Sequence, residues 1–532
     1  MRLLSSCYRQ GVTRYYRNGA IHQNFKLPFV QSLAVPTEQF GEPLQFYICR
    51  GHPQYHTSSN SVSQVPITTF ARKFTTQKDK DETNTTTGGG VTTTTLEDKN
   101  VDHGIEDDES SLIVSQFKNQ MVHQLWTERA KAKKEKGSKK TTATPNKNGK
   151  TPRDSEIRVE YPFQTNPLLA ESYKSPWNTM RLGKLFEDLD ALAGNIAFYH
   201  VRQEGEDSEN HPLIVTASVD RIRLRHPSPL MPTDQTLSGR VTYVGTSSME
   251  IRMHCASTSE KEPWLEAFFT FVTLDPHTKK PMHITPLLPE TPQEQADFQV
   301  GEQRAALKKA RRKQQQQHAT KAGGEDSTVD QTAQGLLQQA RPLLLLPHMP
   351  TSNTTMNCIQ MSETQMQNAL IAQPQSRNLH NRIFGGFLMR RAFELAFANA
   401  HVFGGARPVF KEVDEVSFHA PVDVGDLLVF NSRVLYTSSN TQHQQDNHNN
   451  NEYPLVHLEV EAWVTVPEEA DVKLSNQFYF TFAIVGNNDE GAPPSEPTPP
   501  LRQILPANID EATRMARRME ADRDQAQHDT WI

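Results

Sequence analysis

The chain has 532 residues, enough for about three domains, but only 36% of them are hydrophobic and the mean hydropathy is -0.65, so a large part lies outside any core. A net charge of -6 excludes the positive overall field of nucleic-acid-binding proteins, and no run approaches the roughly 18 apolar residues that span a membrane. The four cysteines are scattered without metal-like spacing, so we expect a reducing compartment, no disulfide framework and no metal site.

The first residues differ from the rest in composition. Up to Thr37 there is neither Asp nor Glu, and five basic residues stand among serines, tyrosines and leucines: Arg2, Arg9, Arg14, Arg17 and Lys26. This composition is typical of a mitochondrial transit peptide, whereas a secretory signal needs a continuous apolar core of about 7 to 15 residues. We therefore expect residues 1–40 to direct the protein to the mitochondrial matrix. A basic disordered tail is the alternative.

Long polar segments separate two folded candidates. Residues 41–155 are rich in Thr, Ser and Lys, 301–344 contain runs of Gln and Lys, and 488–532 are Pro-rich and then charged. Such segments bury too little apolar surface to offset the entropy of ordering. We predict that 41–155 are largely disordered, that 301–344 are a disordered linker and that 488–532 are a tail. The folded units are then 156–300 and 345–487.

The two folded candidates repeat one order of elements. In the first, a helical segment from Leu182 to Val201 precedes four segments with the alternation and β-branched content of strands, and the second repeats this series after Gly385. Two landmarks align between the copies, Val219-Asp220 with Val413-Asp414 and Phe269-Thr270-Phe271 with Phe480-Thr481-Phe482. From Asp to Thr there are 50 residues in the first copy and 67 in the second, and a Gln/Asn/His-rich insert near 438–454 accounts for the excess. We infer an internal duplication.

This order of elements predicts the fold class. One helix followed by strands, without βαβ alternation, indicates an α+β fold in which each antiparallel sheet covers its helix. Two such units in tandem can pair their sheets edge to edge, which removes an exposed sheet edge. The histidines of the insert near 438–454 suit a solvated loop better than a metal site.

The helix of the second unit starts with two glycines, Gly385 and Gly386. From Phe387 to Ala400 its polar side chains are few, so protein must cover most of its surface; they are Arg390, Arg391, Glu394 and Asn399. Glycine lets other atoms approach closely, and the first N–H groups of a helix carry partial positive charge without an intrahelical partner. The pair therefore predicts a place for an oxygen with negative character. A tight entry turn is the simpler alternative.

Several segments resemble a known family. They are "NRIFGGFLMRRAFELA" and "VDEVSF" in the second unit, and "LGKLFEDLDALAG", "VTASVDRI" and "SGRVTYVGTSSMEI" in the first. Together they resemble the double hot-dog acyl-CoA thioesterases, most closely the mitochondrial branch related to mammalian acyl-CoA thioesterase 9. The resemblance implies a tandem double hot-dog fold, in which a curved antiparallel sheet wraps each long helix. It also implies hydrolysis of acyl-CoA to a free acid and CoA, and a homo-oligomer, commonly a trimer.

The resemblance also implies a catalytic pair shared between the units. The family has an Asn eight residues before the second Gly of one unit and an Asp seven residues after the equivalent Gly of the other. Counted from Gly386 and from Gly183, these positions hold Asn378 and Asp190. The complementary positions hold Ser175 and Phe393. One composite site is therefore intact and the other is not.

The chemistry of thioester hydrolysis suits these residue types. The reaction needs a base to activate water and donors for the carbonyl oxygen as it becomes an oxyanion. Asp190 is then the base, Asn378 orients the water or the thioester, and the N–H groups of Gly386 and its neighbour Gly385 polarise the carbonyl. From the residues alone, Asp190 also fits a capped or ion-paired helical acid and Asn378 a turn residue.

Other residues near these positions are weaker candidates. His380 is two residues from Asn378 and is a candidate substrate contact, although loop histidines are often incidental. Arg390 and Arg391 either face the phosphates of CoA or form the solvated stripe of the helix. Glu394 lies four residues after Arg390 and is interpreted as its ion-pair partner.

Two other functions remain open at this point. A non-catalytic acyl-CoA-binding or scaffold protein fits the long linkers and the incomplete second site. An RNA-associated protein would act through the basic runs "KAKKEKGSKK" and "KKARRKQQQQ", but these carry no interleaved aromatic residues, so we expect no nucleic-acid partner. The motifs of serine hydrolases, kinases and dinucleotide-binding enzymes are missing from the sequence, and we expect no cofactor.

Overall fold

The structure is a computed structural model. It describes residues 120–134, 149–202, 212–258, 262–320, 327–345, 357–378, 382–438, 453–485 and 501–528. The described residues all belong to one compact unit, Ile48–Ile532. The predicted transit peptide, 1–40, lies outside them.

The first unit is a long helix wrapped by five strands. Its elements are β1 (Ile157–Tyr161), the short helix α2 (Pro167–Tyr173), the long helix α3 (Leu182–Val201), β2 (Leu213–Leu224), β3 (Gln235–Val244), β4 (Ser248–Ser257) and β5 (Leu265–Leu274). A further helix, α1 (Gln120–Lys134), precedes them. The strands lie in the order β1-β3-β4-β5-β2 and all pair antiparallel. Helix α3 is buried along most of its length, because its small and apolar side chains face the sheet and a second helix.

The second unit repeats this plan. Its elements are β7 (Met366–Ile371), the long helix α6 (Gly385–Gly404), β8 (Pro408–Phe418), β9 (Leu427–Ser438), β10 (Leu455–Val466) and β11 (Asp471–Ile484). The strand order is β8-β11-β10-β9-β7, the first unit's order reversed. The tandem duplication and the α+β class are confirmed. The first strand of each unit, β1 and β7, is an addition, since the sequence pattern predicts strands only after the helix.

The two sheets join edge to edge, as predicted. Strands β2 and β8 pair antiparallel, with Val219 opposite Val416 and Ile222 opposite Val413. Because each unit presents the same strand at the seam, the ten strands form one continuous antiparallel sheet with an approximate two-fold relation. Helices α3 and α6 contact each other beneath it. A Cβ added to Gly183, at the start of α3, would lie 3.2 Å from the Cγ of Arg390 on α6.

The linker between the units is helical where the structure describes it. Helices α4 (Pro292–Thr320) and α5 (Ser327–Leu345) cover most of the segment, so the prediction of disorder over 301–344 is wrong for these residues. Apolar residues at helical spacing bury one side of α5, namely Val329, Ala333, Leu336, Ala340 and Leu343. The many glutamines between them lower the average hydropathy and hide this stripe.

The C-terminal segment is also folded over residues 501–528. Strand β12 (Gln503–Leu505) pairs in parallel with β6 (Cys358–Gln360), and helix α7 (Ile509–His528) follows it. Helix α7 packs against α5. The segment 488–532 is therefore not a simple tail. Likewise, helix α1 lies inside the range 41–155 that is predicted to be largely disordered. Most of that range lies outside the described residues.

Helices α4 and α7 are held by ion pairs to the outer face of each sheet. Alternation along a strand puts successive side chains on opposite faces, and Met253 of β4 packs near Ile196 of α3 while Glu250 faces away. Arg304 of α4 binds Glu250 at 2.7 Å, and Lys308 pairs with Asp220. Lys308 belongs to one of the basic runs, so part of that run is engaged within the protein.

The same arrangement recurs in the second unit. Arg514 of α7 binds Glu459 at 2.7 Å and Glu461 at 2.5 Å, and Arg518 binds Asp414 at 3.1 Å. Because Asp414 occupies the position of Asp220 in the duplication, the repeated unit includes the helix that follows its sheet. The sequence pattern alone did not indicate this extension.

Loss of Arg518 is expected to destabilise the protein strongly. Its side chain is 4% exposed and that of Asp414 is 1% exposed, so Arg518→Met leaves a buried carboxylate short of a partner. We expect the free energy of unfolding to fall by about 3 kcal/mol, measured by urea denaturation at pH 8. The neighbouring Arg517 is exposed, and Arg517→Met is expected to cost less than about 0.5 kcal/mol. Equal losses in the two variants would contradict this role of Arg518.

Candidate active site

A carboxylate of the first unit meets the start of the second unit's helix. Asp190 lies on α3, and its Oδ2 accepts a hydrogen bond of 2.6 Å from the backbone N–H of Gly386 on α6. Its Oδ1 accepts a longer bond of 3.5 Å from the Thr216 hydroxyl on β2. The side chain of Asp190 is buried. The structure thus brings together Asp190 and the glycine pair, and the two bonded residues lie 196 positions apart in the chain.

Burial makes Asp190 a base that titrates near neutrality. Desolvation raises the pKa of Asp190 from an ordinary value of 3.8 to about 6, although the hydrogen bonds from Gly386 and Thr216 favour the ionised form and lower the pKa. A carboxylate with such a pKa is ionised at neutral pH and accepts a proton more readily than an ordinary aspartate. The arrangement therefore suits general-base chemistry.

The two glycines are required by close packing. A Cβ at Gly386 would lie 2.8 Å from the Cα of Glu187, and one at Gly385 would lie 3.0 Å from Oδ2 of Asp190 and 3.3 Å from the ring of Phe418. Side chains at these positions would push α3 and α6 apart or displace the carboxylate. The N–H of Gly386 faces an oxygen with negative character, and that oxygen belongs to Asp190. The polarisation of a substrate carbonyl by Gly385 and Gly386 stays a prediction.

The acidic neighbours of Asp190 have different partners. Asp188 is fully buried and accepts hydrogen bonds from the hydroxyls of Tyr161 at 2.9 Å and Tyr173 at 2.5 Å. Glu187 binds Arg390 across the helix crossing at 3.4 Å. Glu187 and Asp188 are therefore engaged by an ion pair and by tyrosine hydroxyls, whereas Asp190 accepts its hydrogen bond from the backbone of α6.

Asn378 lies in the loop before α6. Its Oδ1 accepts a hydrogen bond of 3.2 Å from the N–H of Arg382, and its own N–H donates to the Arg382 carbonyl at 2.5 Å. These bonds close the loop that leads to the glycine pair, and they fit the turn role that the residue type suggests. The catalytic role of Asn378 stays a prediction. His380, in the same loop, lies outside the described residues.

The arginines of α6 form an ion-pair network at the helix crossing. Arg390 binds Glu394 at 3.1 Å and Glu187 at 3.4 Å, and Glu394 also binds Arg181 at 2.8 Å. Arg391 approaches Glu394 at 3.7 Å. The pairing of Arg390 with Glu394 is confirmed. Because Arg390 is shared by two carboxylates, its geometry favours a tie between helices, and contact of Arg390 or Arg391 with CoA stays a prediction.

Comparison with known proteins identifies the family. A model described as "Thioesterase superfamily" matches residues 380–443. "Acyl-coenzyme A thioesterase 2, chloroplastic" from Humulus lupulus is 38% identical over 383 residues, which are 70% of this chain and 81% of that protein. "Acyl-coenzyme A thioesterase 9, mitochondrial" from Homo sapiens is 33% identical over 363 residues, which are 67% of this chain and 78% of that protein. The chain belongs to the acyl-CoA thioesterase family.

Solved structures resemble parts of this thioesterase only weakly. An acyl-CoA hydrolase from Staphylococcus aureus, crystallised with butyryl coenzyme A, is 23% identical, with a TM-score of 0.26 over 32% of this chain and 96% of its own. An acyl-ACP thioesterase from Bacteroides thetaiotaomicron is 11% identical, with a TM-score of 0.35 over 62% of this chain and 99% of its own.

The complementary site of this thioesterase is filled with aromatic side chains. Phe393, at the position of Asp190, packs against Phe410 with ring centroids 5.5 Å apart and against Phe186 at 5.1 Å. Ser175, at the position of Asn378, is bound within its loop to Thr179 at 2.8 Å. The complementary site thus has packed aromatic rings where the intact site has a titratable carboxyl.

Thr216 is a site residue that the sequence reasoning missed. It precedes Val219 by three residues, as Phe410 precedes Val413, so the two are equivalent in the duplication. The intact site therefore has Asp190 and Thr216 where the filled site has two phenylalanines. Alignment of the two copies beyond their Val-Asp landmarks would have revealed this paired difference.

Replacement of Asp190 by Asn is expected to stabilise the thioesterase at neutral pH. Because the pKa of Asp190 is raised on folding to about 6, the wild type loses stability as the pH rises from about 4 to about 6, and above that the loss is complete. A shift of about two units corresponds to about 3 kcal/mol. Asp190→Asn does not titrate, so its free energy of unfolding should exceed that of the wild type by about 3 kcal/mol more at pH 7.5 than at pH 3.5.

Urea denaturation across this pH range measures the difference. Glu468→Gln, which removes an exposed carboxylate, controls for the loss of one negative charge. A gap between wild type and Asp190→Asn that stays constant with pH would contradict the raised pKa.

Proposed function

We propose that the protein hydrolyses acyl-CoA thioesters to a free acid and CoA, at a composite site formed by Asp190 of the first unit and the start of α6 in the second. The observation that carries this proposal is the hydrogen bond from the Gly386 N–H to a buried Asp190 whose pKa is raised to about 6. It brings a suitable base next to the N-terminus of a helix, and thioester hydrolysis needs both a base and hydrogen-bond donors for the developing oxyanion.

Asp190 acts as the general base. The ionised carboxylate removes a proton from a water molecule as the water oxygen attacks the thioester carbonyl carbon. The tetrahedral intermediate then collapses, the C–S bond breaks, and CoA leaves as a thiolate that takes up the proton. The hydrogen bond from Gly386 holds the carboxylate in place for this step.

The start of α6 stabilises the developing oxyanion. The Gly386 N–H already donates to Asp190, so we assign the carbonyl oxygen to the preceding N–H, that of Gly385, together with the amide of Asn378. Gly385 is adjacent to the carboxylate, since a Cβ there would lie 3.0 Å from Oδ2 of Asp190. Removal of one such donor typically costs about 3 kcal/mol of barrier.

Variants of the intact site should lower activity strongly, while a variant at the equivalent position of the filled site should not. Thiol release from acetyl-, octanoyl- and palmitoyl-CoA is measured for the protein lacking residues 1–40. Asp190→Asn and Asn378→Ala are expected to lower kcat/KM by about a hundredfold or more. The matched control is Ser175→Ala, at the position of Asn378 in the filled site, which should change kcat/KM by less than about threefold. In the wild type, kcat/KM should rise with pH around a midpoint of about 6 and level off above it.

The other outcomes separate the alternatives. Tight binding of acyl-CoA without thiol release would overturn the enzyme in favour of a non-catalytic acyl-CoA-binding protein. Full activity in Asp190→Asn would place the base elsewhere. A pH profile without a midpoint near 6 would reject Asp190 as the group that titrates in catalysis.

We also propose that the protein acts in the mitochondrial matrix and assembles as a homo-oligomer, with a trimer as the expected form. The basic, acid-free composition of residues 1–40 supports import, and the human relative carries "mitochondrial" in its name, whereas one hop relative carries "chloroplastic". Residues 1–40 fused to a fluorescent protein should therefore enter mitochondria, and a cytosolic fusion would overturn this assignment.

A monomer in sedimentation equilibrium would overturn the proposed homo-oligomer. Among the described residues, no helix is long and apolar enough to cross a membrane.

A further inference from the structure

Helix α1 precedes both hot-dog units and packs on the central helix of the first. One side of α1 is buried in the common core and carries Met121, Val122, Leu125 and Trp126. Gln124 and Glu128 lie on its exposed side. The side chain of Trp126 is only 4% exposed. Helix α1 is therefore an amphipathic addition that covers apolar surface which the hot-dog strands leave open.

Two contacts fix α1 along the second half of α3. The side-chain amide of Asn195, itself buried, donates a hydrogen bond of 2.7 Å to the carbonyl of Leu125. The guanidinium of Arg129 lies 4.7 Å from the ring centroid of Phe198. Asn195 follows Asp190 by five residues, so it lies about 7.5 Å farther along the helix axis at 1.5 Å per residue. Five residues are also about 1.4 turns of helix, so α1 contacts a different side of α3 from the one that carries Asp190.

Trp126 reaches the site through one intervening ring. It packs edge-on against Phe384, with centroids 5.5 Å apart. Phe384 is the residue before α6 begins, and its ring lies 2.8 Å from the position that a Cβ on Gly386 would occupy. Since the N–H of Gly386 binds Asp190, a continuous wall leads from the carboxylate over Phe384 to Trp126.

The surroundings of the glycine pair differ in character from one side to the other. At the helix crossing, charged side chains form the ion-pair network of Arg181, Glu187, Arg390 and Glu394. Toward α1 the neighbours are the rings of Phe384 and Trp126 and the aliphatic side chains of α1. An acyl-CoA has a charged, polar carrier and an apolar chain, so its chain matches the side of α1.

We propose that Trp126 is the end wall of the acyl-chain pocket and limits the length of the chain that the enzyme accepts. This inference rests on the proposed function, because it names the substrate class of the same site. The rings of Phe384 and Trp126 are packed together and buried on the side of α1, so a longer chain must displace these side chains, whereas a short chain does not reach them. Trp126 acts on specificity and does not touch the reacting atoms.

A graded series at Trp126 tests the proposal. The ratio of kcat/KM for palmitoyl-CoA to kcat/KM for acetyl-CoA is measured in wild type, Trp126→Phe and Trp126→Ala. We expect the ratio to rise by about tenfold or more in Trp126→Ala and by less in Trp126→Phe, while kcat/KM for acetyl-CoA stays within about threefold. Gln124→Ala, on the exposed side of the same helix, is the matched control and should leave the ratio unchanged.

A second variant guards against misfolding of Trp126→Ala. Asn195→Ala removes the hydrogen bond that holds α1 to α3 and should raise the same ratio without a change at Trp126. Thermal denaturation of every variant identifies any that does not fold, and the ratio is then read from Trp126→Phe and Asn195→Ala.

The outcomes distinguish this inference from the proposed function. If the wild type releases no thiol from any acyl-CoA, the proposed function fails and the inference falls with it. If the wild type is active but the ratio is unchanged, or activity on both substrates falls in parallel, only the role of Trp126 is overturned. A merely structural role of Trp126 predicts the parallel fall.

Discussion

The close packing of helix α3 against the start of helix α6 is the constraint on which the rest of this structure depends. Helices α3 and α6 can bring Asp190 to the Gly386 N–H, at 2.6 Å, only because Gly385 and Gly386 carry no side chains. The start of α6 also favours the ionised form of Asp190, because its partial positive charge opposes the effect of burial, which favours the protonated form. The continuous sheet across β2 and β8 sets the same geometry from outside, because it fixes how far apart the two helices lie. One backbone hydrogen bond therefore links the fold of both units to the titration of one side chain.

Buried charge is arranged in opposite ways on the two faces of the sheet. Beneath it, Asp190 has backbone and hydroxyl donors but no cationic partner among its hydrogen bonds. On the outer face, buried acids such as Glu250 and Asp414 each meet an arginine from a helix that follows the sheet. A buried ion pair contributes little net stability, but the loss of either partner is costly. The helices α4 and α7 are thus held in one position by ion pairs, whereas Asp190 is held by uncharged donors.

Much of the fold was readable from periodicity and self-similarity, and the errors have physical causes. The duplication, the α+β class and the edge-to-edge sheets are confirmed because repeated landmarks such as Val219-Asp220 and Val413-Asp414 reflect repeated packing. The disorder predicted for 301–344 is wrong where α4 and α5 are described, because ion pairs and a narrow apolar stripe order a helix whose average composition is polar. At the site, the meeting of Asp190 with the glycines followed from the family resemblance, whereas Thr216 and Trp126 did not, since their importance arises from contacts across long separations in sequence. Burial, which sets the pKa of Asp190, is likewise a property of the assembled fold.

The filled complementary site has a consequence for why two units share one chain. In a symmetric pair of separate subunits, any change at the aspartate position would appear in both sites at once. Covalent linkage lets one copy keep Asp190 while the other places Phe393 in a cluster of rings, and it ensures that each molecule contains one copy of either kind. The tether also keeps the partner at high effective concentration at any expression level. Divergence of the two halves is therefore compatible with one intact site in every molecule.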